Sequence, residues 1–150
     1  MEREHLAGRL QQYLLEHIPI SEELAFSVTE ASLDEIVITA PLAPNVNHHG
    51  TAFGGSISAA AILAGWSLVY VRLEAEGKFP AVVIRHNETD YIKPIDGPFR
   101  ARARLSDPEK WTHFLLSLSR RGKARITVAV EVEAAQGTAA YFLGTYVALW

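Results

Sequence analysis

GGSISAAAILAGWSLVYVRLEA, running from Gly54 to Ala75, is the stretch whose reading decides the fold. Between residues 57 and 75 only Gly65 could interrupt a helix, and Ile57, Ala60, Ala61, Leu63, Ala64, Leu68, Val69 and Val71 leave it without a polar face. A helix apolar nearly all round belongs inside other structure, not on a surface. Gly54-Gly55-Ser56 opens it, and glycines there let a second group approach the backbone closely. The first N–H groups of a helix have no partner within it, so this start can hydrogen-bond a ligand oxygen; the same pair of glycines also serves as a plain tight turn.

Outward from that helix the pattern turns to strands. Residues 82–92 and 99–105 follow it, the second with Phe99, Ala101, Ala103 and Leu105 on one face and Arg100, Arg102 and Arg104 on the other. Strict alternation of this kind is the period of a half-buried strand. Asp107-Pro108-Glu109 supplies an N-cap, an N1 proline and an acidic first turn. A short amphipathic helix follows, carrying Trp111, Phe114, Leu115 and Leu118 and stopping before Gly122. Residues 123–134 and 139–149 form a hairpin about Gln136-Gly137. On the N-terminal side, residues 2–17 carry a helical stripe, which is expected to pack on a sheet edge. Residues 25–29 and 35–40 make a first hairpin across Ser32-Leu33-Asp34, and a polar loop spans 41–53. The sum is α+β: one domain over residues 1–150, an antiparallel sheet of about six strands curled around one helix. Exposed edges of such a sheet predict a homodimer, with a dimer of dimers as a further step.

Composition narrows the chemistry. The 150 residues are 49% hydrophobic and include no cysteine, which excludes thiol catalysis, thiolate metal sites and disulfides. No run reads as long and apolar enough to cross a bilayer, no secretory leader is evident, and the cytoplasm is the expected compartment. Residues 1–71 hold two basic and eight acidic side chains against twelve and nine in residues 72–150, so the net charge of -3 hides a positive second half. That surplus suits a phosphate or an acidic partner and is too small to suggest nucleic acid.

The segment Asn45-Val46-Asn47-His48-His49-Gly50-Thr51-Ala52-Phe53-Gly54-Gly55-Ser56, followed by a buried helix, resembles the active-site loop of hotdog-fold thioester enzymes. Asp90-Tyr91-Ile92-Lys93-Pro94-Ile95 with Gly97 resembles the strand and turn after their central helix. With RRGKAR at 120–125 and GTYVALW at 144–150, the order and spacing resemble one family across nearly the whole chain: the malonyl-acyl-carrier-protein decarboxylases, long labelled thioesterases, which occur alone or fused behind an acetyltransferase domain. The resemblance implies a hotdog fold and a small acyl group presented as a thioester on the pantetheine of acyl carrier protein or CoA. It implies no resident cofactor. It also places the critical catalytic side chain on this loop, at Asn45, and matches Asn47 to the asparagine that orients the thioester in hotdog thioesterases.

Hydrolysis in such relatives uses an acidic residue about two turns into the central helix, and the matching position here is Ile62. No acid occurs between Glu35 and Glu74, so neither the loop nor the first five helical turns supplies a carboxylate base, leaving Glu88 or Asp90 of a partner subunit to watch. Decarboxylation needs no base, only stabilisation of the enolate oxygen, for which the N–H groups at Gly54 and Gly55 and the amides of Asn45 and Asn47 suffice. Either asparagine also reads as a loop amide satisfying its own turn.

His49 and His48 are candidate proton donors or carboxylate contacts, since imidazole titrates near neutrality; each could equally cap, pack or face solvent. Phe53, Ser56 and Tyr91 complete the expected binding surface. Lys93, Arg121 and Lys123 are candidates for phosphate or carrier contacts, with Arg120, Arg125 and the alternating arginines as further cations. No metal set is evident, and Trp66, Trp111 and Trp150 read as core or dimer contacts. The expected activity is malonyl-thioester decarboxylation, supplying primer for fatty-acid synthesis. An acyl thioesterase and a non-catalytic carrier-binding or dimerisation module are the rivals.

Overall fold

In the computed structural model, which describes residues 2–150, the apolar stretch is one helix, α3 (Gly54–Ala75), and the rest of the chain is arranged to bury it. By length and composition α3 could cross a bilayer, contrary to the sequence reading, but most of it is buried inside this chain. Preceding it are α1 (Glu2–His17), the short α2 (Ile20–Glu23), β1 (Ser27–Ala31) and β2 (Ile36–Ala40). After it come β3 (Ala81–Tyr91), β4 (Phe99–Leu105), α4 (Lys110–Arg121), β5 (Lys123–Ala134) and β6 (Gly137–Leu149). The strands form one antiparallel sheet in the order β1-β2-β4-β5-β6-β3, as expected for six strands about a helix.

Alternation places the core. Ile36, Ile38 and Ala40 of β2, Phe99, Ala101 and Ala103 of β4, Val128, Val130 and Val132 of β5, and Phe142 and Tyr146 of β6 are buried with Ala60, Ala64 and Leu68 of α3. The closest approach is at Gly65. A Cβ there would collide with the hydroxyl of Tyr146, which donates a 2.6 Å hydrogen bond to the Ile62 carbonyl. Glycine is thus required at 65 by contact between helix and sheet, not by backbone conformation.

The opposite face of β4 presents the alternating arginines. Arg100 and Arg102 share Glu133 at 3.0 and 2.9 Å, Arg102 also pairs with Glu30 and Glu35, and Arg104 pairs with Glu35 at 2.8 Å. They form an ion-paired outer sheet face. Burial alone would raise the Glu133 carboxyl, but the hydrogen bonds from Arg102 and Arg100 outweigh it and hold the group below its usual range.

The two sheet edges differ. Along β1 lies α1, whose Gln11 accepts from the Val28 N–H and donates to the Phe26 carbonyl at 3.1 Å, standing in for a neighbouring strand. The free edge of β3 has no strand beside it among the described residues and exposes Val83 and Tyr91. Boundary differences from the sequence reading are small. Strand β1 begins at Ser27 because Ala25 sits at φ 57°, and α4 begins at Lys110 because Asp107 accepts the Glu109 N–H across a turn.

Two measurements check this account. Gly65→Ala should cost about 1–3 kcal/mol in urea unfolding. It should cost less in a Tyr146→Phe background, where part of the collision is gone, and simple additivity would refute the contact. Glu133 has a folded pKa below its unfolded value, so its contribution is complete above about pH 4.3 and is lost as pH falls through the folded value. The melting-temperature gap between wild type and Glu133→Gln should therefore hold at neutral pH and narrow as pH falls below about 4.3. A gap independent of pH would remove the ionic explanation.

Candidate active site

From β2 the chain turns through a 3-10 helix, Ala43–Asn45, into the loop that delivers it to α3. Asn45 is 1% exposed. Its Nδ2 donates to the carbonyls of Leu24 and Pro41, both at 2.8 Å, and its own carbonyl accepts the Phe53 N–H at 2.7 Å. One residue thereby ties the end of α2, the end of β2 and the residue before α3. A flipped amide would set its oxygen against two carbonyls, so the orientation is determined. The expectation that Asn45 presents an N–H to substrate is corrected here: both amide hydrogens are committed, and what remains is a buried Oδ1 with no hydrogen-bond partner among the described residues.

Asn47 organises the next turn. Its Oδ1 accepts from the N–H of His49 at 2.8 Å and of Thr51 at 3.1 Å, and its Nδ2 donates to Thr51 Oγ1 at 2.9 Å. This is the Asx-turn chemistry that makes asparagine a loop residue. His48 and His49 lie against each other at the tip, ring centroids 3.9 Å apart, both exposed. The loop closes through the Ala52 N–H, which donates to the Ile95 carbonyl at 2.8 Å.

At the helix start Phe53 is extended and gives no side-chain cap, while its carbonyl accepts from Ser56 and Ile57 at 2.9 and 3.1 Å. The N–H groups of Gly54 and Gly55 have no acceptor among the described residues. Tyr91 Oη donates to the Gly54 carbonyl at 3.3 Å, and a Cβ at Gly55 would collide with the Phe53 ring. Phe53, Tyr91, Ile92 and Val46 are exposed apolar side chains. Two unpartnered amides at the positive end of a 22-residue helix are therefore flanked by two aromatic rings, Phe53 and Tyr91. Ser56 is buried in the first turn.

Along α3, Gly55, Ala59, Ile62 and Trp66 share a face by their spacing. Ala59, Ile62 and Trp66 line an apolar cavity of about 260 Å³ with Leu24, Phe26 and Ile84. Trp66 is fixed there by donating to the Val82 carbonyl at 2.8 Å. Leu24 belongs both to this wall and to the Asn45 clamp, so cavity and loop are joined.

The candidate cations separate. Lys93 donates to the Gln136 carbonyl at 2.7 Å, in the turn between β5 and β6. Arg121 and Lys123 lie in another groove, beside α4. Among the described residues no three His, Asp or Glu side chains gather as a metal site.

A sheet wrapped on one helix, whose unpartnered N-terminus emerges at a loop of amides, defines the hotdog fold. The chain belongs to the family described as "Putative thioesterase (yiiD_Cterm)", whose model matches residues 7–150. A protein of unknown function from Chlorobaculum tepidum is 30% identical over 98% of this chain and 96% of its own, with a TM-score of 0.91. A "putative thioesterase" from Shewanella oneidensis is 28% identical over 98% and 99%, TM-score 0.83. A thioesterase from Haemophilus influenzae shares the fold at 16% identity over 95% and 90%, TM-score 0.74.

Sequence reasoning missed Leu24 as the partner of Asn45, since nothing local links residues 21 apart. It also missed Phe53 as the ring over Gly55. Asn45→Ala leaves two carbonyls without their donor and should lower stability by roughly 1–3 kcal/mol. Asn45→Asp, which turns an anion toward both carbonyls, should lower it further at pH 7, as read by thermal melts. An Asp variant as stable as wild type would show that the clamp is not as described.

Proposed function

We propose that this protein decarboxylates a malonyl thioester carried on phosphopantetheine, releasing CO₂ and leaving the acetyl thioester as primer for fatty-acid synthesis. The observation that carries the reading is the pair of free N–H groups at Gly54 and Gly55, in a loop and helix that hold no carboxylate from Glu35 to Glu74. As the C–C bond to the carboxylate breaks, its electron pair passes into an enolate whose oxygen accepts those two hydrogen bonds. Charge that develops in the transition state is stabilised more than the neutral carbonyl of the ground state. His48 or His49 then delivers the proton that completes the acetyl group, water serving equally.

Neutral surroundings matter in two ways. A nearby carboxylate would repel the malonyl carboxylate and the enolate alike, and it would offer a base for water. Asn45 and Asn47 act in this reading as positioning residues, fixing the loop so that the glycine amides face outward. Phe53 and Tyr91 wall the thioester. We also propose a homodimer through the open β3 edge, since the β1 edge is already covered by α1.

One observation favours a second reading, an acyl thioesterase. The apolar cavity beside Ile62 has room for more carbon than malonyl contains. The exposed Glu88 and Asp90 lie on β3, where a second protomer could bring them to the site as bases.

Purified protein incubated with malonyl-acyl carrier protein decides between them. The expected result is stoichiometric CO₂ with the thioester intact. Free thiol at the rate of substrate loss would establish the hydrolase instead, and absence of turnover with malonyl and octanoyl thioesters alike would reject both.

A further inference from the structure

Beside α4 runs a groove of about 1020 Å³, floored by Phe114, Ile126 and Val147 and walled by β3, β5 and β6. Five cations line it: Arg85, Lys110, Arg121, Lys123 and Arg125. All five are exposed, and none makes an ion pair among the described residues. The contrast with the outer sheet face is direct, because Arg100, Arg102 and Arg104 are each neutralised by Glu30, Glu35 or Glu133. The acids in the groove, Asp107 and Glu109, sit together at its α4 N-terminal end, and Asp107 is engaged with the backbone there.

Size and spacing indicate what such a groove would hold. Lys110, His113, Ser117 and Arg121 form one stripe of α4, adjoining the face that buries Trp111, Phe114 and Leu118. From Lys110 to Arg121 the stripe spans about 16 Å, three helical turns. Charges so far apart do not converge on one phosphate, and Phe114, 1% exposed, offers no platform for a stacked base. Lys110 and Arg121 at the two ends of that stripe, with Arg85, Lys123 and Arg125 on the strands beside it and an apolar floor between, match an elongated acidic partner, an amphipathic helix. Arg85 precedes Tyr91 by six residues on β3, about 20 Å along the strand. A ligand anchored here would reach the helix start on a long tether.

We propose that this groove docks the acidic helix of a carrier protein, so that the thioester arrives on a protein-borne pantetheine arm and not as a CoA ester. The proposal rests on the acyl-thioester reading above and adds the partner and its surface. Association would be steered by charge and weakened by salt.

Binding is measured without turnover, by fluorescence anisotropy of labelled malonyl-acyl carrier protein titrated with the full chain. Lys110→Glu with Arg121→Glu should raise Kd by about tenfold or more and flatten its salt dependence. Arg3→Glu with Lys78→Glu, an equal change of charge outside the groove, should leave Kd within about twofold. Circular dichroism establishes that each variant is folded. The proposal fails if the groove variant binds as wild type does, or if the control pair weakens binding equally, which would make net charge the cause. It also fails if excess CoA displaces the carrier and the groove variant loses CoA in proportion, which would assign the groove to a nucleotide. Carrier binding through the groove with neither CO₂ nor thiol released would overturn the proposed reaction and leave the docking surface standing.

Discussion

The structure depends on one constraint: a 22-residue helix with no polar side must be hidden along most of its surface. A single sheet face covers only part of a helix, so the sheet must curl, and six antiparallel strands with a loop and a terminal helix complete the enclosure. Gly65 and Tyr146 mark how tightly this is done, with the tyrosine hydroxyl reaching the helix backbone itself at the Ile62 carbonyl. Such enclosure works along the helix flanks but not at its end. The first N–H groups must emerge somewhere, and here they emerge beside the loop that Asn45 holds, without a side-chain cap. The chemistry of the site is the consequence of an uncapped end on an otherwise buried helix.

Much of this was legible in the residues. The all-round apolar pattern of 57–75, the alternation of β4 and β5, and the glycine pair at 54 and 55 each act through neighbours close in sequence, which is why local spacing revealed them. What escaped was long-range and polar. The Gln11 side chain completing the β1 edge, and the Asn45 amide reaching Leu24, join residues 15 to 21 positions apart through hydrogen bonds that leave no periodicity behind. The arginines of β4 show the same limit from another side. Their alternation disclosed a face, but whether that face was free or neutralised depended on glutamates from β1, β5 and the β1–β2 turn.

Among the cations, pairing separates structure from recognition better than position does. Paired arginines in a network hold strands together, and their charge is cancelled within a few ångströms. Unpaired ones keep their field, and grouping five of them carries a repulsive penalty that the fold alone does nothing to relieve. The pK of Glu133 is lowered where such pairing occurs, while the groove beside α4 has no comparable acid in its middle.

Asn45 shows how the neutrality of the site follows from packing as well as from chemistry. Facing the carbonyls of Leu24 and Pro41, the buried side chain must present two hydrogens, which an amide does and a carboxylate does not. A charged residue at that point would be both unpaired and desolvated, a combination disfavoured by several kcal/mol or more. Position 45 is therefore held without an acid for structural reasons, and the glycine amides beyond the loop stand in surroundings where no carboxylate lies between Glu35 and Glu74 in the chain.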